Sequence, residues 1–341
     1  MKFPFRMAVP LGMIAFLGTL GCGGGEVPPP DSSAVGGESA DAPRLASRLP
    51  EDAQAISLLG EPLFPPALPE EVLASREQQL AEALHDLEAD PQGTAAIIWA
   101  ARRYAYLGDY RKAIDLFSEG IALHPDDARL YRHRGHRYIS VREFDNAIAD
   151  FRKAAELIEG TKDEVEPDGQ PNSMGIPTST LHFNIWYHYG LAHFLEGNFE
   201  EAEEIYRRCW DASIHPDSKV ATAHWWYMSL RRSGRAEEAQ ALIQGMDLDA
   251  LASEVIESGS YLELLRLYAG ASAMQGEAMP ELDPATMEGA ALGYGVGAFY
   301  LYNGHADEAR AVYEGILSAR DQWASFGYIA AEADLARMGG E

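Results

Sequence analysis

Thirty-four residues separate Ala113 from Ala147, and like residues fill the same slots around each alanine: Tyr104, Gly108, Tyr110, Phe117 and Pro125 first, then Tyr138, Phe144 and Phe151. A period of this length, with small residues and aromatics in fixed places, marks a helix-turn-helix unit repeated in series. One such unit cannot bury its apolar face alone, so the chain is constrained to a helical array in which each pair packs on its neighbours. Stacked pairs make a curved surface, and such surfaces usually bind other proteins.

The period can be followed along the chain. Leu73, Leu80, Leu84 and Leu87 recur at helical spacing after Pro69, which predicts a capping helix over 69–89. Repeats are expected at about 94–127 and 128–161, then at 183–216, where Trp186, Gly190, Gly197, Phe199, Ala202 and Tyr206 fall in register. The pattern thins over 220–250, where Gly234 and Ala239 survive but Tyr227 stands in a slot that favours a small residue. It returns over 290–320 with Gly297, Tyr300, Gly304, Ala309 and Tyr313. A degenerate pair containing Tyr261 to Leu267 is expected within 248–289, and a last, capping helix over 321–338. Ala147 and Ala202 are 55 residues apart, one period plus 21; the surplus falls in 160–180, rich in Pro, Gly, Asp and Glu. Loops of that length in a compact array are uncommon and often functional, the other reading being a solvated insertion.

These slots resemble the tetratricopeptide repeat family. The resemblance implies an all-α solenoid, a right-handed superhelix of antiparallel helix pairs, whose first helices line a concave groove that holds a partner protein or peptide.

The N-terminus reads as a secretory signal over 1–21: Lys2 and Arg6, an apolar stretch from Met7 to Leu20, then Gly21 and Cys22. Leu17 to Cys22 resembles a bacterial lipoprotein signal, which implies lipidation of Cys22, with Thr19 a departure from the usual aliphatic residue. The region 22–66 is expected to be a flexible linker, because Gly, Pro, Ser, Ala and Asp dominate up to about Pro50. The helical domain would then occupy 67–341. This address implies the bacterial cell envelope, with a lipid anchor holding the chain to a membrane on the periplasmic or outer-membrane face.

The formal charge is −26, and about −28 once Lys2 and Arg6 leave with the signal. So acidic a chain repels nucleic acid and anionic headgroups, so membrane attachment falls to the lipid. With Cys22 consumed, Cys209 is left without a disulfide partner and is expected to be an inert core thiol. His182, His188 and His193 are spaced six and five residues apart, not the three or four a helical metal site prefers. Gly175 stands where a calcium loop opening at Glu164 needs its bidentate acid. No cofactor, metal or enzyme activity is expected, since no nucleophile elbow, zinc-protease helix or phosphate loop is present.

The sharpest local anomaly is Arg129 to Arg142, with five arginines and two histidines and no acid. By register Arg129, Arg132 and His136 face the groove, with Arg102 from the preceding repeat and His133 beside them. Side chains three or four residues apart stack on one helix face, and arginines so placed can grip carboxylates in bidentate fashion. Known carboxylate-clamping members of the family use lysine and asparagine where this chain has Ile98, Arg102, His133, Asn184 and His188, so the expectation is an anion-favouring groove and not that ligand. Tyr187, His188 and Trp225 complete the expected partner-binding groove, with Trp99 and Tyr106 as further apolar contacts. The competing reading is an internal ion-pair network: Arg134 falls in a normally apolar slot and would need a carboxylate, which the 160–180 loop offers.

The sequence thus reads as an envelope adaptor or assembly scaffold that binds a protein or peptide, one with acidic groups suiting the groove best. The alternative is a small-molecule or glycan-binding protein using the aromatic and histidine cluster 182–194, which a closed pocket under the 160–180 loop would favour.

Overall fold

The computed structural model describes residues 49–270 and 283–340. After a hairpin of two short strands, β1 (Ala55–Ile56) and β2 (Pro62–Leu63), every regular element is helical. α1 (Glu70–Ala89) precedes four helix pairs: α2 (Thr94–Tyr106) with α3 (Tyr110–Leu123), α4 (Ala128–Ser140) with α5 (Phe144–Leu157), α6 (Leu181–Glu196) with α7 (Phe199–Ala212), and α8 (Pro216–Arg232) with α9 (Ala236–Gln244). A short α10 (Leu248–Ala252) and α11 (Gly259–Ala269) stand where the degenerate pair was expected. α12 (Met287–Tyr302) and α13 (Ala306–Leu317) form a further pair, and α14 (Phe326–Gly339) ends the array. The fold is an all-helical solenoid of paired antiparallel helices. Among the described residues, no helix is long and apolar enough to cross a membrane.

The repeat slots explain the pairing. Ala113, Ala147, Ala202 and Ala309 are each fully buried where second helices pack. A Cβ added to Gly135, Gly190 or Gly297 would strike the ring sixteen positions later, at 2.9 Å from Phe151, 2.8 Å from Tyr206 and 2.4 Å from Tyr313. Each first helix therefore approaches its second helix closely over an aromatic ring, which is why the small and aromatic slots keep their spacing. In the fourth pair the sizes are exchanged. Tyr227 takes the small slot and Ile243 the aromatic one, and the Tyr227 ring instead stacks on Tyr268 of α11 at 4.4 Å. The turn inside each pair carries a left-handed glycine at Gly108, Gly197, Gly234 and Gly304. In the second pair that position is Arg142, with φ 65°.

Two features correct the sequence reading. The linker expected over 22–66 does not extend through its last third: residues 53–66 are built into the fold. β1 and β2 pair antiparallel, Ala55 opposite Leu63, and Ala53, Ala55 and Leu63 are buried. Gln54 accepts the Arg111 amide at 3.1 Å and its carbonyl accepts Arg111 Nε at 2.7 Å. Small apolar side chains and satisfied backbone groups, not a long hydrophobic run, hold this segment down. The expected signal over 1–21, Cys22 and the linker as far as residue 48 lie outside the described residues.

The second correction concerns the concave side. α14 does not merely cap the array but returns across it to α6 as well as packing on α12 and α13. The Phe326 ring at its start lies 5.2 Å from His136, 5.5 Å from His188 and 6.5 Å from Tyr187. Arg142 and Glu332 form a buried bidentate pair with N to O distances of 3.1 and 2.8 Å. The Leu58 amide donates to the same carboxylate at 2.7 Å, and Trp323 Nε1 donates to the Phe64 carbonyl at 2.7 Å. Hairpin, second repeat and last helix thus meet at one carboxylate.

Candidate binding site

Three first helices, α2, α4 and α6, present the side chains in question, and the insert between α5 and α6 lies against them. The insert is pinned at its ends by a bridge between Val165 and Thr180 and by the Leu181 amide donating to the Glu164 carbonyl. It is pinned across the array by arginines of α2: Arg102 donates to the Pro167 carbonyl at 2.8 Å and Arg103 to that of Gly169 at 3.2 Å. Both guanidiniums also stand over the Trp99 ring, at 4.5 and 5.1 Å, where a cation is attracted to the ring face.

Glu166 is the acid the insert drives inward. It is buried, its Oε2 is 3.0 Å from Arg132 Nε, its Oε1 is 3.6 Å from His133 Nε2, and Asn184 Nδ2 donates to it at 3.2 Å. Arg132 Nη1 is 3.0 Å from His133 Nδ1, and the His133 ring stacks on Phe117 at 5.7 Å. Burial and the neighbouring guanidiniums hold His133 and His136 well below the usual histidine range, so both rings are neutral at physiological pH. His188 is held down in the same way by burial and Arg132, and its Nδ1 sits 2.6 Å from the Asn184 carbonyl.

The expected groove therefore divides. Arg102, Arg132, His133 and His136 do converge, with Arg137, Tyr106 and Asp168, around a cavity of about 190 Å³ under the insert. Arg129 does not join them: its guanidinium folds back on Asp127, the N-cap of α4, at 2.9 and 2.5 Å. It instead edges a neighbouring mouth, also about 190 Å³, with Trp99, Val165 and Leu181. Tyr187, His188 and Trp225 are buried and face their own chain. Trp225 Nε1 donates to Tyr187 Oη at 2.8 Å, and Phe326 covers the other two rings, so this part of the groove is filled. Arg134 finds its carboxylate in Asp150 of α5, at 2.7 and 2.8 Å, and not in the insert.

Sequence reasoning missed Arg103, Arg137 and Phe326 as residues of this region. The first two were within reach, for they stand 34 residues apart and so share one slot, as do Arg102 and His136. Cys209 is buried beside Thr222 Oγ1 at 3.2 Å, and burial pushes its thiol up to about 12, which leaves it unreactive. Among the described residues no three His, Cys, Asp or Glu side chains gather as a metal site would need.

Comparison with known proteins agrees with the helix pairs. Two tetratricopeptide repeat models match the chain, one over residues 94–137 and another over 183–212. Tetratricopeptide repeat-containing protein trd-1 of Caenorhabditis elegans is 28% identical over 144 residues, 41% of this chain and 15% of the relative. Protein bimA of Emericella nidulans is 24% identical over 143 residues, 42% of this chain and again 15% of the relative. The match thus spans about 15% of the length of these curated relatives. Among solved structures, MamA is 16% identical with a TM-score of 0.40, covering 51% of this chain and 88% of that one. YrrB, titled a TPR protein with an unusual peptide-binding site, is 14% identical with a TM-score of 0.38, covering 71% and 95%. With repeat models matched over two stretches and the small-over-aromatic packing shared by the pairs α4/α5, α6/α7 and α12/α13, the fold is a tetratricopeptide-repeat-like α-solenoid.

Proposed function

We propose that this chain is a non-catalytic adaptor of the bacterial cell envelope, held to a membrane by a lipid on Cys22, and that it takes its partner at the outer mouth between α2, α4 and the insert. The tetratricopeptide-repeat fold is a protein-interaction scaffold, which supplies the class of function. One observation favours the mouth over the rest of the concave side: the groove at α4 and α6 is filled by Phe326 and α14, whereas the insert leaves Val165 exposed at the mouth it shares with Trp99, and Met174 and Ile176 exposed further along. Three exposed large apolar side chains within one insert suit an interaction segment. Arg129, half exposed at the same mouth, suits a partner segment in which an acidic group accompanies the apolar anchor. The aromatic and histidine cluster 182–194 is a poorer candidate, because its rings pack on one another and on α14.

Crosslinking in intact envelopes followed by pull-down tests the reading. The wild type is expected to recover a protein that a Trp99→Ala, Val165→Asp double variant loses, with circular dichroism unchanged. Equal recovery from both would move the partner elsewhere. Metabolic labelling with an alkyne fatty acid tests the anchor separately: label is expected on the wild type and absent from Cys22→Ser, and an unlabelled wild type removes the lipid from the proposal.

A further inference from the structure

The cavity under the insert has too many cations for a chain of this charge. Arg132, His133, His136 and Arg137 occupy one face of α4 on successive turns, opposite Arg102 and Tyr106 of α2, and Asp168 closes the edge. Three guanidiniums therefore face a space whose nearby carboxylates are Glu166, already engaged by Arg132, His133 and Asn184, and Asp168. Arg132 is buried, and its Nε has no aligned hydrogen bond despite the nearby Glu166. The Arg137 side chain makes no ion pair or hydrogen bond with any described residue; its guanidinium stands 5.6 Å from the centre of the Tyr110 ring. Burial draws it down to about 10, which leaves it charged at neutral pH. An enclosed charge without a counter-ion is strongly destabilising unless something pairs with it. Neutral His136 adds a ring N–H that can donate without adding charge.

We propose that this cavity binds a small oxyanion, a phosphate or a short dicarboxylate, held by Arg102, Arg132 and Arg137 and enclosed by the insert at Asp168. The size fits. At roughly 30 Å³ of liquid per water, about 190 Å³ holds at least about six water-sized volumes, enough for such an anion and too little for a nucleotide. Guanidinium forks match either oxyanion in bidentate fashion, so the two share one recognition chemistry. The insert then acts as a strap whose order depends on the anion, since Arg102 grips both the strap and the cavity. The site is separate from the outer mouth proposed for a protein partner, although Arg102 and His133 wall both.

Isothermal titration calorimetry of the full chain against inorganic phosphate and, separately, succinate tests the proposal, at fixed ionic strength with chloride as the background anion. Saturable one-site binding of at least one anion is expected, at least tenfold weaker in Arg137→Gln and at least threefold tighter in Glu166→Gln, which removes the competing carboxylate. Whichever anion binds assigns the ligand to phosphate or to carboxylate chemistry. Absence of saturable binding of both anions, in the wild type and in Glu166→Gln, overturns the proposal, as does wild-type affinity in a folded Arg137→Gln. If Arg137→Gln does not fold, Arg102→Gln carries the same expectation. Loss of the crosslinked protein partner in Trp99→Ala, Val165→Asp with phosphate or succinate affinity retained would separate the two sites.

Discussion

Arg142 occupies a turn position that four other repeats give to glycine, and it does so in the left-handed region at φ 65°. For a residue with a Cβ that conformation costs about 1 kcal/mol. The side chain offsets it: beyond the bidentate pair with Glu332, Arg142 donates to the Ser140 carbonyl at 2.6 Å and that of Trp323 at 2.8 Å. Restoring glycine should relieve the strain yet leave Glu332 buried and unpaired, which costs roughly 3–5 kcal/mol. Arg142→Gly is therefore expected to lose about 2–4 kcal/mol in urea unfolding, and a stabilised variant would mean that the pair contributes less than the strain. A second residue-scale prediction concerns pH. His133, His136 and His188 are held neutral in the fold, with pKa values well below the 6.5 of the unfolded chain. Below pH 6.5 the unfolded state binds protons that the folded state refuses, so their contribution is full above that value and declines as pH falls. With His224, pushed down to about 3 by burial, four such groups give a slope of up to roughly 5 kcal/mol per pH unit. Unfolding followed between pH 7.5 and 5.5 checks it, and His188→Gln should reduce the slope by about a quarter; an unchanged slope would show that His188 titrates alike in both states.

At the scale of elements, the insert behaves as a strap and not as a free loop. Glu166 is the one acid of Glu164, Glu166 and Asp168 that reaches Arg132 and His133. Glu166→Ala should release the strap, raising protease cleavage between residues 163 and 180 at least fivefold while the flanking helices resist; an unchanged digestion pattern would mean that the grip of Arg102 and Arg103 on the backbone suffices. The insert's position was legible, because 55 residues between Ala147 and Ala202 exceed one period by 21. Which carboxylate turns inward was not, since that depends on the path of the strap across α2 and α4. The helix pairs were legible for a local reason: small and aromatic slots sixteen residues apart reflect contacts within one pair, as between Gly135 and Phe151. The hairpin was misread because two strands of two residues leave no periodicity and their neighbours, Arg111 and Trp323, are far along the chain. Phe326 was missed for the same reason, being 190 residues from His136.

Across the described solenoid, the ends meet. In an open solenoid each repeat touches only its neighbours, stability is close to a sum over repeats, and unfolding can proceed from either end. Here the Glu332 carboxylate ties α14 to the turn between α4 and α5 and to the Leu58 amide, while Arg232 and Arg337 both pair with Asp334, at 2.8 and 2.7 Å. Contacts that link the first repeats to the last helix make partial unfolding expensive, since fraying either end breaks bonds at the other. The same contacts fill the concave face with Phe326, so closure and loss of groove are one structural event. Truncation after Ser325 separates this arrangement from a plain solenoid. Without α14, Tyr187, His188 and the Arg142 guanidinium lose their cover, and the chain should bind a hydrophobic dye, expand in small-angle scattering and unfold in two steps where the full chain unfolds in one. A truncated chain that kept one transition and its original radius would place the cooperativity in the repeats themselves, and α14 would be a cap like any other.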